Sequence, residues 1–247
     1  MLDSNDLKKI GEMCEINQEF GKIYHSLLEE RSQVLESVNY QLKNYFTLIM
    51  SNVQLMETKD EDLLEDSHWL QMVGNINKMY ELLEQFSIYT VCDEVELKTA
   101  DVQALVQNVF QHFHAISIMK ELDLKLEIAE DTKEICKAYV TNYSKLREIL
   151  VNLVKNAVET AKVSSEIRVA VEKNKEDTLK ISVINNRTMI EMKQKEDIFK
   201  PKFDSENGRS KLELLICAKF AAVLGGRIEV DSTEKETRFQ IILPIAD

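Results

Sequence analysis

The stretch LVNLVKNAVE, residues 150–159, sets two asparagines, Asn152 and Asn156, into a run otherwise composed for a hydrophobic core. Four residues apart, they lie on one face of a helix, one turn above the other. Asparagine is a mediocre helix former, and a buried amide without a hydrogen bond costs about 1–3 kcal/mol. Either the two amides cap a neighbouring loop, or they face a ligand.

Working outward, the segment 144–162 reads as the helix that carries them. Upstream, DVQALVQNVFQHFHAISIMK (101–120) is amphipathic and helical, LDLKLEIAED alternates as a strand, and EICKAYV reads as a short strand. Downstream, SEIRVAVEK and TLKISVIN fit an antiparallel hairpin across NKED. KLELLICAKFAAVL is a helix stopped by Gly225–Gly226 in the preferred position after a helix end. GRIEVDS and RFQIILPI close the chain as a second hairpin. Helices on one face of a mixed sheet make an α+β sandwich.

The other direction has a different texture. Residues 5 to about 90 read as helix, with an apolar seam at Phe20, Ile23, Leu27, Val34, Val38, Leu42, Tyr45, Ile49, Val53 and Met56. The acidic TKDEDLLEDS (58–67) interrupts it, and a second seam follows at Trp69, Val73, Ile76, Tyr80 and Leu83. Two amphipathic helices joined by a short turn form an antiparallel hairpin. One hairpin cannot bury both faces, so the expectation is a dimeric four-helix bundle. The predicted division is an N-terminal helical extension at 1–34, the hairpin at 35–93 and the sandwich at 94–247.

Composition narrows the function classes. The net charge of −12 argues against nucleic acid and anionic membranes. No apolar run approaches a transmembrane length, and MLDSNDLKKI lacks a signal-peptide core, so a cytoplasmic protein is expected. Cys14, Cys92, Cys136 and Cys217 are isolated, without metal or disulfide spacing. There are six glycines and two prolines, where average usage gives roughly 17 and 12. Any function needing glycine-rich loops is short of material.

The order of elements and several motifs resemble a sensor histidine kinase core of two-component systems: a dimerising hairpin, then an ATPase domain of the gyrase/Hsp90/histidine-kinase/MutL type. LREILVNLVKNAVETA (146–161) is similar to that family's N-box, IFKPKFDS (198–205) to its phenylalanine box through Phe199 and Phe203, and LLICAKFAAVLGGRIEVDS (214–232) to the segment after its second glycine box. The resemblance implies Asn156 as ligand of the magnesium that bridges ATP phosphates, with Asn152 lining the same pocket; an amide oxygen suits Mg²⁺.

The chain departs from that pattern at five pocket positions, four of them glycines in the family. NNRTMI stands where the family has DxGxGI, placing Asn185 at the adenine-binding aspartate and Arg187 and Met189 at the glycines. KLEL replaces GLGL, with Lys211 and Glu213 at the glycines. A side chain at an αL glycine costs about 1–2 kcal/mol and fills ligand space, and Glu213 brings negative charge towards a polyphosphate. In the hairpin, YQLKNYFTLI (40–49) puts Tyr40 at the phospho-accepting histidine. A phenol has no imidazole nitrogen and forms no labile phosphoramidate.

The expectation is therefore a non-catalytic, histidine-kinase-like dimer with no cofactor, docking a response regulator receiver domain or a partner kinase through Tyr40, Lys43 and Asn44. Asn152, Asn156 and Asn185 would be the remnant ATP pocket. Two alternatives stay open. One is residual Mg·ATP binding at Asn156 with Lys211 or Arg209 compensating. The other is phosphotransfer through His25 or His68. His112 and His114, two apart on a helix, make a poor metal site.

Overall fold

The computed structural model describes residues 9–10, 13–14, 16–90, 96–174, 177–186, 189–191, 195, 198–199 and 212–245. The chain divides into two compact units, residues 1–91 and 92–247.

The first unit is a helical hairpin. Helix α1 (Gln18–Lys59) runs 42 residues without interruption, so residue 34 lies inside one continuous helix. The Asn17 side chain caps its start by accepting from the Glu19 and Phe20 amides. The acidic turn holds a short 3₁₀ segment (Glu61–Leu64). Helix α2 (Ser67–Thr90) then starts where Asp66 Oδ1 accepts from the Trp69 amide at 2.8 Å. Trp69 Nε1 donates to Glu57 at 3.0 Å, the Phe46 and Tyr80 rings meet edge-on at 6.3 Å, and Lys43 pairs with Glu84 at 2.6 Å. These three contacts fix the antiparallel register.

The buried line of α1 is Asn39, Phe46 and Val53, at strict seven-residue spacing. Of the expected seam, Val53 is buried within the hairpin, whereas Ile23, Leu27, Val34, Val38, Leu42, Tyr45, Ile49 and Met56 are exposed in the single chain. The helix thus carries two adjacent apolar stripes, and only one of them is used within the hairpin.

The second unit is a two-layer α/β sandwich. Its elements run β1 (Lys98–Ala100), α3 (Val102–Met119), β2 (Asp123–Ile128), α4 (Lys133–Lys137), β3 (Tyr139–Thr141), α5 (Tyr143–Thr160), β4 (Glu166–Lys173), β5 (Thr178–Asn185), α6 (Leu212–Val223), β6 (Arg227–Ser232) and β7 (Thr237–Pro244). The main sheet is ordered β2-β4-β5-β7-β6, with β2 parallel to β4 and the other neighbours antiparallel. A separate ladder pairs β1 with β3. Val169, Val183, Phe239 and Val230 align across four strands. Facing Leu105, Leu146, Leu150, Leu153 and Ile216 of the helices, the β4, β5 and β7 residues of that row form a core in which every named member is at most 3% exposed.

Local chemistry sets the boundaries. Asp101 and Asn142 cap α3 and α5 by accepting from the amides three residues on, at 2.8 and 3.0 Å. Gly225 ends α6 at φ +77°, and the Gly226 amide returns to Ala221 O at 2.8 Å. A Cβ on Gly226 would lie 2.2 Å from Ile242 O. The expected strand EICKAYV is corrected: EICK lies in the one-turn helix α4, and strand pairing begins only at Tyr139.

Candidate functional site

In the hairpin unit, Tyr40 is 68% exposed and Asn44, one turn on, is also exposed. Lys43 is half-buried and turned to Glu84 of α2, away from that face. Asn39, beside Tyr40, is 3% exposed, and its Oδ1 is buried without a hydrogen-bond partner. The expected surface therefore holds Tyr40 and Asn44 with Tyr45 and Leu48, while Lys43 belongs to the contact between the helices.

In the sandwich, the asparagines of α5 sit within a polar stripe at four-residue intervals: Glu148, Asn152, Asn156, Thr160. Asn152 is buried; its Nδ2 reaches Glu148 Oε1 at 3.4 Å, and its side chain hydrogen-bonds Cys217 on α6. Burial pushes the Cys217 thiol far up, against a smaller lowering by the Asn152 bond. The Cys217 thiol also points at Ile149 O at 3.9 Å. Asn156 is half-exposed, and its carbonyl accepts from Thr160 Oγ1 at 2.6 Å.

Asn185 ends β5 and is 3% exposed. Its Nδ2 donates to Ala157 O and to Thr160 Oγ1, both at 3.1 Å. This amide therefore bonds one carbonyl and one hydroxyl of the last turn of α5 through donors that an aspartate does not have. On α6, Glu213 stands in the first turn and its carboxylate meets Lys155 of α5 at 2.9 Å.

Met189 is 45% exposed and Phe199 half-buried. Arg187, Phe203, Arg209 and Lys211 lie outside the described residues. His25 and His68 are exposed on α1 and α2. Among the described residues no group of three His, Cys, Asp or Glu side chains could hold a metal, and no helix is long and apolar enough to cross a membrane.

The structure gathers Asn152, Asn156 and Asn185 around α5. It adds Lys155, Thr160, Cys217 and Glu213 to their surroundings as partners that sequence reasoning did not pair. Thr160 and Glu148 were reachable, since they continue the four-residue spacing of the two asparagines. The Lys155–Glu213 pair spans 58 residues and had no local signal.

Residues 141–247 match the family of histidine kinase-, DNA gyrase B- and HSP90-like ATPases. Over 214 residues the chain is 20% identical to the signal transduction histidine-protein kinase AtoS of Escherichia coli, covering 86% of this chain and 34% of that protein. It is 19% identical to sporulation kinase D of Bacillus subtilis, covering 89% and 43%. The chain thus spans less than half the length of these two curated relatives. Among solved structures, a nucleotide-free catalytic domain of the histidine kinase ThkA superposes with TM-score 0.55 at 24% identity, covering 61% of this chain and 97% of that one. Full-length ShkA in complex with AMPPNP superposes with TM-score 0.70 at 15% identity, covering 87% and 46%.

Proposed function

We propose that the chain, which has the fold of a sensor histidine kinase core and matches the histidine kinase-, DNA gyrase B- and HSP90-like ATPases over residues 141–247, is non-catalytic and acts as a dimeric docking module. Its partner is a response regulator receiver domain or an active kinase of the same pathway, in the cytoplasm. The observation that carries this reading is that the Asn185 amide and the Glu213 carboxylate are spent on groups of α5. Asn185 gives both N–H groups to α5, and Glu213 holds Lys155 where α6 begins.

The residues present do not fit a magnesium-bridged triphosphate. A helix N-terminus favours an anion through its free amides and dipole, and here a carboxylate already stands in that turn. A triphosphate brought beside Glu213 meets like charge. The reading is thus of a pocket kept as architecture, with Asn152 a structural amide satisfied by Glu148 and Cys217.

The hairpin keeps its dimerising character in this proposal. The exposed line Val38, Leu42, Tyr45, Ile49 and Met56 is the face that a second copy covers, and Tyr40 with Asn44 forms the docking surface above it. The functional division follows as an arm to residue 34, the hairpin at 35–93 and the ATPase-like domain at 94–247. Residues 18–34 of the arm are part of α1, which runs through residue 34 without a break.

The test is capture of isolated receiver domains and of kinases from the same genome, compared between the wild type and Tyr40→Ala. Tyr40 is exposed, so the variant folds normally, and at least a tenfold weakening of a specific partner is expected. Lys43→Glu is a poorer probe because it places a like charge beside Glu84. Binding of no two-component partner at all would sink the proposal. One observation favours a second reading: the half-exposed Asn156 amide is free to bind Mg·ATP weakly. Saturable ATP binding abolished by Asn156→Ala would establish it.

A further inference from the structure

The buried line of α1 is apolar at Phe46 and Val53 and polar at Asn39. A line that repeats every seven residues is the seam of a helix pair, and an amide placed in such a seam lowers its stability. Asn39 is 3% exposed, and its Oδ1 has no hydrogen-bond partner among the described residues. A buried carbonyl left unpaired forfeits the hydrogen bonds that water gives it in the unfolded chain.

On one side of Asn39 the helices are tied together. Trp69 with Glu57, Tyr80 with Phe46 and Glu84 with Lys43 join α2 to α1 in turn. Continuing that antiparallel register sets Asn39 level with Ser87 and Ile88, in the last turn of α2, which ends at Thr90. Asn39 is therefore the layer at the open end of the hairpin. Helix α1 runs through this level unbroken, from Gln18 to Lys59, so α2 is the helix that can move.

We propose that Asn39 is a built-in weak layer: the packed hairpin leaves its amide unsatisfied at this level, and an opened arrangement that lets water reach it lies close in free energy. The last turn of α2 leaves α1 while the layers from Glu84 back to Trp69 stay shut. Tyr40, the next residue, is 68% exposed in the packed arrangement, so opening bares new surface beside it. The device needs neither a nucleotide nor a docking partner.

Hydrogen–deuterium exchange on the full chain, comparing peptides from the two ends of α2, tests it. Asn39→Leu keeps the side-chain shape and removes the amide. It is expected to slow exchange of residues 84–90 about tenfold, the size of one unpaired buried carbonyl, with residues 67–73 unchanged. Asn39→Asp also keeps the shape but adds a charge that needs water more. At neutral pH it speeds exchange at 84–90, again with 67–73 unchanged. Faster exchange or lost helicity in Asn39→Leu overturns the proposal, because the amide then has a partner that holds the layer. Wild-type exchange in both variants overturns it too, as does slowing by Asn39→Leu that is equal at the two ends of α2.

Discussion

Asn185 shows how one atom's identity redirects a site. An aspartate at this position offers only acceptors, whereas Asn185 donates twice to the end of α5. Asn185→Asp therefore sets a carboxylate against Ala157 O and costs about 1–3 kcal/mol. The unfavourable charge raises that carboxyl's pKa in the folded state, so the penalty is small below its unfolded value and grows as pH rises. Thermal melts of the variant against the wild type should diverge from pH 4 to pH 8; a constant gap would argue against the cap. The thiols report the same interior. Burial pushes Cys136 up to about 11 and Cys217 higher still, so at pH 8 both should resist iodoacetamide in the native state and react after unfolding, as read by mass spectrometry. Of these details, the sequence showed that α5 spends a face on amides. It did not show the direction of each amide, because Asn185, Cys217 and Glu213 reach α5 only through the tertiary fold.

At the scale of elements, the apolar pattern told helix from strand wherever a run was long enough to show its period. The helices at 101–120 and 144–162 and both C-terminal hairpins were legible for that reason. EICK was not, because one turn of helix completes too little of a period to compete with the alternation around it. The phase of α1 was ambiguous for another reason: apolar residues stand side by side at 45–46, 48–49 and 55–56, so two stripes fit the sequence. The structure assigns Phe46 and Val53 to the hairpin and leaves Val38, Leu42 and Ile49 outside. This separates two experiments. Phe46→Ala should destabilise the hairpin by about 3 kcal/mol or more, with a matching fall in its melting temperature. Leu42→Asp with Ile49→Asp should instead give a folded monomer by light scattering and circular dichroism; loss of helicity there would move the stripe into the hairpin. In the sandwich, Gly226→Ala drives a methyl into Ile242 O and should cost about 3 kcal/mol, a loss visible in denaturant unfolding.

For the whole molecule, the fold is that of a sensor histidine kinase core. Tyr40, proposed at the acceptor position, is exposed, and Asn185 and Glu213 bond groups on α5. A docking module of the proposed kind would use the exposed apolar stripe of α1 for a second copy and Tyr40 with Asn44 for its partner. Whether the pocket needs a nucleotide is tested most directly by unfolding with and without millimolar Mg·ATP. A ligand at 100 times its Kd adds about 2.7 kcal/mol, which at roughly 2–4 °C per kcal/mol moves the melting temperature by about 5–10 °C. Superimposable melts are expected of a pocket that needs no nucleotide. A shift of that size, lost in Asn156→Ala, would contradict it and make LVNLVKNAVE a working magnesium site.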